Sequence, residues 1–242
     1  MAALALAAVV VDGPFGVYDG VLFSAHMVQH IVLMMVVAPM LLLGAPVLLG
    51  LQVSSRAFRR RWLLPVLRSR AVRWLSNPVV TWLLFTATLL GTHFTPFYNY
   101  AVTHEAAHRY LEHPLYLTAG LLYFYPLVGA NPVPHGPRPL AKVLSLVLMM
   151  APETMTGFFI YTSPHLLHPA YAGIERPIIT TALADQQLGG ALMWSSGMVI
   201  DAVWIAVAVH AWLQSEARAG RRLDAQLAAE KAALARTSAG DR

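Results

Sequence analysis

The sequence predicts an all-α protein, a polytopic helical bundle in a membrane, and three observations carry that reading. Of 242 residues, 57% are hydrophobic and only 12% are charged, against roughly 25% charged in a soluble domain, and the mean hydropathy is +0.55. The apolar residues gather into runs of the length a bilayer requires, about 20 residues per helix. The charges also separate. Of the 17 Lys and Arg, all but Arg109 and Arg176 fall on one predicted side, and of the ten His, all but His135 and His210 fall on the other. Positive charge marks the cytoplasmic side of membrane proteins, so the histidine-rich side is expected to be extracytoplasmic. The net charge of +5 is therefore read as topology and not as a nucleic-acid footprint. With no Cys, the chain has neither a disulfide framework nor a thiolate metal site.

Residues 1–11 are apolar but lack the basic start and small-residue cleavage site of a signal peptide. They are too short to span and read as the end of a helix. Residues 22–50 form an apolar run without a formal charge. Residues 52–77 carry seven arginines and no acid, which places them in the cytoplasm. Pro78 suits the first turn of the next span, which runs to about Phe97. Residues 98–112 are polar and rich in His and Tyr, an outer loop. Residues 114–130 cross inward, 131–139 make a proline-rich inner turn, and 140–161 cross outward. Residues 162–180 form an outer loop with His165 and His168, read as solvated. Residues 183–213 make the last crossing. The expectation is five full spans plus an N-terminal partial helix, a single transmembrane domain over 1–213, and a charged, partly helical cytoplasmic tail over 214–242.

The outer histidines carry the chemistry. His26 and His30, four residues apart, share one helical face with roughly 5–6 Å between Cβ atoms, a spacing that suits one metal ion. Met27 beside them offers a thioether, which favours Cu(I). His93, His108 and His113 are further candidate ligands on other segments. His104-Glu105-Ala106-Ala107-His108 matches the H-E-x-x-H pattern of zinc peptidases, but its polar surroundings suggest no substrate cleft. Asp185 opens the last span, where it would either cap that helix or accept a hydrogen bond from a ligand imidazole. Glu112 is a similar carboxylate partner, and Met193 lies slightly deeper. Glu153 and Asp201 lie within spans, where carboxylates are functional candidates by default. Proton relay, cation path and structural hydrogen bond all fit them.

Leu22-Phe23-Ser24-Ala25-His26-Met27-Val28-Gln29-His30, then Ala38-Pro39 and Leu43-Gly44-Ala45-Pro46, resembles the signature of the CtaG-type assembly proteins of caa3-type cytochrome c oxidase. His93 with Pro96 and Tyr98, His108 with Glu112-His113, and Asp185-Gln186-Gln187-Leu188-Gly189-Gly190 with Met193-Trp194 follow in the family's order, so the likeness covers 22–194. His104 is not part of that pattern. The resemblance implies a multi-pass protein of the bacterial plasma membrane, not an enzyme, that handles copper for the oxidase binuclear centre. Its expected partners are oxidase subunit I or other assembly factors. Members have about seven spans, so it also implies that an N-terminal portion is absent. His26, His30, His93, His108 and His113 are then the expected pool of copper ligands. The rival readings are a membrane cytochrome with axial His ligands and a zinc metallopeptidase.

Overall fold

The computed structural model describes residues 1–128, 131–133, 136–176 and 181–240, with side chains through Lys231. His135, expected in the inner turn, lies outside the described residues. The described residues form helices and no strands. Seven helices position the site: α1 (Ala2–Asp12), α2 (Phe23–Val53), α3 (Pro78–His93), α4 (Phe97–Thr103), α5 (His113–Phe124), α6 (Pro139–Thr162) and α7 (Ala182–Gly240). Three of them, α2, α6 and the first part of α7, are long and apolar enough to cross a membrane, which makes this a multi-pass membrane protein. The 16 residues of α3 give about 24 Å of helix, less than the roughly 30 Å hydrocarbon core.

The histidine-rich segment expected as a loop is helical. One helix covers Phe97–Thr103, and a second runs without a break from Glu105 into α5, through a wide turn at His108–Glu112. The tail also differs in extent, since α7 continues as one 59-residue helix. Among the arginines, short helices capped by Ser55 and Ser69 replace an irregular loop.

Proline sets the local geometry of the helices. Three wide π-turns occur, at Leu33–Val37, Arg59–Leu63 and His108–Glu112. In each, the last i→i−5 bond comes from the residue just before a proline: Ala38 to Leu33 O, Leu64 to Arg59 O and His113 to His108 O. Pro39, Pro65 and Pro114 have no N–H to donate, and their rings crowd the carbonyl four residues back. Widening the preceding turn relieves that crowding and keeps the helix continuous. The carbonyl that Pro39 leaves without its helical donor belongs to Met35, and the Trp204 indole N–H on α7 donates to it at 2.9 Å. The C-terminal part of α2 breaks at Gly44-Ala45, where Ala45 takes a left-handed conformation. Asn131 spans the break, accepting from Val47 N–H and donating to Leu42 O.

α6 and α7 cross at Gly157 and Gly190. A Cβ on Gly157 would lie 2.7 Å from Trp194 N and 2.9 Å from Gly190 O, so only glycine permits this approach, a packing mode common between membrane helices. α7 in turn packs on α2 and holds its start. Asp185 accepts hydrogen bonds from Phe23 N–H at 2.6 Å, from Ser24 N–H and from the Ser24 hydroxyl. Asp185 lies in the first turn of α7, as expected, but its side-chain hydrogen bonds go to the head of α2 and not to an imidazole. The free N–H groups at the head of α2 are buried and need an acceptor, and the carboxylate on the neighbouring helix supplies it.

Asp185→Ala should strand those donors and cost on the order of 2–4 kcal/mol, lowering the thermal unfolding midpoint of detergent-purified protein by several degrees. An unchanged midpoint would show that the start of α2 is held by other contacts.

Candidate metal centre at the outer helix ends

Glu112 is fully buried at the end of the π-turn that leads into α5. Its Oε2 faces His108 Nδ1 at 2.6 Å, its Oε1 accepts from the Tyr116 hydroxyl at 2.9 Å, and His26 Nε2 stands 3.4 Å away. The second nitrogen of His108 faces Asp19 Oδ2 at 2.8 Å. His108 thus has a carboxylate on each ring nitrogen and donates from both, which makes it an imidazolium. Burial opposes that charge, but Asp19 and Glu112 outweigh it and raise His108 to about 9. Burial likewise works against the two carboxylates. His108 prevails at Asp19, and His26 and His108 prevail at Glu112, so both acids sit below their ordinary values.

Several of the surrounding imidazoles have a buried ring nitrogen without a hydrogen-bond partner. His93 Nδ1 donates to Leu89 O at 2.8 Å, which fixes its tautomer and leaves Nε2 as a bare, buried acceptor. His113 Nε2 donates to Gln29 Oε1 at 2.8 Å. The amide of Gln29 is oriented by its own bond to Val10 O, so His113 Nδ1 is left as a free lone pair. His26 Nδ1 and His30 Nδ1 have no hydrogen-bond partner, while His26 Nε2 has only the Glu112 carboxylate, 3.4 Å away. Buried polar groups without partners cost of order 1–3 kcal/mol each, and several concentrated here mark a site prepared for a ligand. Two groups of side chains have donor atoms close enough to hold one ion: His26, His108 and Glu112, and Asp19, His108 and His113. The rings of His26 and His108 are 5.1 Å apart, and those of His108 and His113 4.5 Å. His30 and His93 stand outside both groups as a pair at 4.9 Å.

Several expectations change. His168 is buried, stacked on Phe23 at 4.9 Å and against Tyr98 at 4.2 Å. Burial pushes it down to about 3, so it is a neutral ring in the wall of the site, whereas His165 is exposed. His104 caps the start of the helix that leads into α5, is exposed, and turns Nδ1 to Tyr100 O. Glu105 is exposed as well. The H-E-x-x-H pattern therefore does not place two ligands on one helix face. Met27 and Met193 pack among Phe23, Leu89, Tyr98 and Ile160 in an apolar cluster. Asp19 was missed, although an acid just ahead of an apolar run was a visible signal. Gln29 was quoted within the motif but given no role. Tyr171 anchors Asp19 by donating to its carbonyl at 2.8 Å, and Arg109 pairs with Asp12 at 2.7 Å, tying α1 to the site.

The chain matches the cytochrome c oxidase caa3 assembly factor family (Caa3_CtaG) over residues 1–215, and it belongs to that family. Uncharacterized proteins of Mycobacterium bovis and Mycobacterium tuberculosis are each 29% identical over 86% of this chain, and one of Mycobacterium leprae is 27% identical over the same share. In each case the chain spans about a third of the relative's length, 32%. No solved structure matches it.

The pH dependence follows from the shifts. His108 is raised above its ordinary 6.5, so its contribution to stability is complete below that value and is lost as pH rises through about 9. Asp19 and Glu112 are lowered from 3.8 and 4.5, so theirs is complete above those values and is lost as pH falls through the lower folded ones. Resonances of labelled histidine should show His108 titrating near 9, and Asp19→Asn should bring it back toward 6.5. A wild-type midpoint near 6.5 would contradict the doubly bonded imidazolium.

Proposed function

We propose that the protein captures copper, as Cu(I), at the extracytoplasmic face of the bacterial plasma membrane and passes it to cytochrome c oxidase during assembly. The receiver would be subunit I or another assembly factor. The observation that carries this reading is the convergence of bare imidazole nitrogens on two buried carboxylates, in a chain of an oxidase-assembly family.

The residues divide the work. Arrival of a cation lets His108 release its proton, because metal and proton compete for the same nitrogen. Glu112 and Asp19 then neutralise the ion in place of the imidazolium, so the buried charge stays balanced. His26 and His113 complete the two alternative sets around His108, and His30 with His93 forms the next pair along α2. A cation held by one set has a second within reach of the same ring, which suits transfer by ligand exchange. Neutral imidazole without thiolate binds Cu(I) but also releases it. The role is one of carriage, not catalysis.

In this reading the protein has five spans, built on α2, α3, α5, α6 and the first half of α7, with residues 98–112 outside the membrane. The arginines of residues 56–73, with Trp62 and Trp74 exposed among them, lie at the cytoplasmic interface, as the positive-inside rule and aromatic belts favour, and the tail is also cytoplasmic. A haem would need an apolar slot between histidines. The cavity of about 410 Å³ near Trp204 and Lys142 has no histidine in its lining.

Copper bound to protein purified after loading should fall at least tenfold at this cluster in His26→Ala/His108→Ala, and a strain carrying that variant should assemble little active oxidase. Unchanged copper binding in the variant would remove the proposal.

A further inference from the structure

Beside the histidine cluster, a small cavity of about 10 Å³ lies between α2, α6 and α7, and its lining includes His30, Ile31, Met34, Met35, Glu153 and Met193. That volume holds about one water or one ion. Its lining is unusual for a membrane interior. His30 Nδ1 and Glu153 Oε2 are buried there without hydrogen-bond partners, and both side chains are more than nine-tenths buried. Asp201 on α7 lies beside Glu153 on α6, within hydrogen-bonding reach of it, and no other group meets its buried carboxylate oxygens. The three methionines are also buried.

An apolar void of this size would stay dry, but one with a free imidazole nitrogen and a carboxyl group can take a cation, Glu153 giving up its proton as the ion enters. Thioether and imidazole donors together select a soft monovalent ion over Mg²⁺, Ca²⁺ or Zn²⁺. The backbone supports the placement. His26, His30 and Met34 follow one another at intervals of four, which gives neighbouring positions roughly 5–6 Å apart on a helix. The π-turn at Leu33–Val37 begins just beyond His30, and turns of this kind recur at functional sites. Gly197 packs beside the carboxylate, with Glu153 Oε2 3.6 Å from where a Cβ would stand at that position.

We infer that this cavity is a second, intramembrane Cu(I) site, held by His30, the thioethers of Met34 and Met193 and the Glu153 carboxylate, with Asp201 positioning Glu153. It extends the proposed copper-carrying role, giving the ion a resting place one helical turn deeper than the outer sets.

The test uses the full chain in detergent, loaded with Cu(I) under reducing conditions and titrated against a chromophoric Cu(I) chelator, with copper X-ray absorption to detect sulfur ligands. Wild type should hold two equivalents, one of them with sulfur scattering. Met34→Leu/Met193→Leu, which nearly conserves volume, should lose one equivalent and the sulfur signal while keeping the other. His26→Ala/His108→Ala should keep the sulfur-bound equivalent. A single equivalent without sulfur in wild type, or no change in the Met34→Leu/Met193→Leu protein, overturns the deep site and leaves the outer one standing. A sulfur-bound equivalent as the sole copper in wild type upholds the deep site and removes the outer one. Absence of copper from every variant removes both.

Discussion

A carboxylate with no access to water must have its charge met by its neighbours, and Glu112 imposes that requirement on the whole outer end of the bundle. His108, Tyr116 and His26 surround it, each from a different position on α2 or on the helix that leads into α5. His108 answers the charge as an imidazolium and in turn needs Asp19, which the segment between α1 and α2 delivers. Tyr171 from the outer loop and Arg109 with Asp12 hold that segment in place. Breaking a buried pair by removing one partner is far more costly than never having built it. The arrangement is therefore stable as a set.

The backbone serves the same end. A proline two residues past Glu112 widens the helix by one residue, so that His108, Glu112 and His113 project from a turn that is not a regular α-helix. The same device on α2 places Met34 and Met35 in a wide turn just past His30, and the freed Met35 carbonyl docks Trp204. Proline in an apolar span usually signals a kink. Here it tunes the angular positions of ligating side chains without breaking the helix, because a π-turn absorbs the missing donor.

The larger scaffold keeps the site rigid by close approach. Gly157 and Gly190 bring α6 and α7 into backbone contact, and Asp185 on α7 pins the head of α2. The carboxylate that the sequence suggested as a partner for an imidazole thus acts through the N-terminal amides of the helix that carries His26 and His30. It sets where His26 and His30 sit without touching either.

Much of this was legible in the residues. Apolar run lengths and the separation of arginine from histidine indicated a helical membrane protein, and the ordered motifs around His26, His108 and Asp185 indicated the family. Histidine identity also marked the right segments, since a polar ring in an apolar helix needs a partner. What the residues could not reveal was pairing. Whether His168 is solvated or buried, whether Asp185 meets a ring or an amide, and whether Asp19 belongs to the site at all depend on contacts between positions 89 to 162 residues apart in the chain. Helical periodicity reports only which residues share a face of their own helix. Chemical type and hydropathy are properties of single segments, so the sequence by itself determined them. The protonation of His108 and the direction of each free lone pair arise from the closure of several helices on one point, and only the tertiary structure decided those.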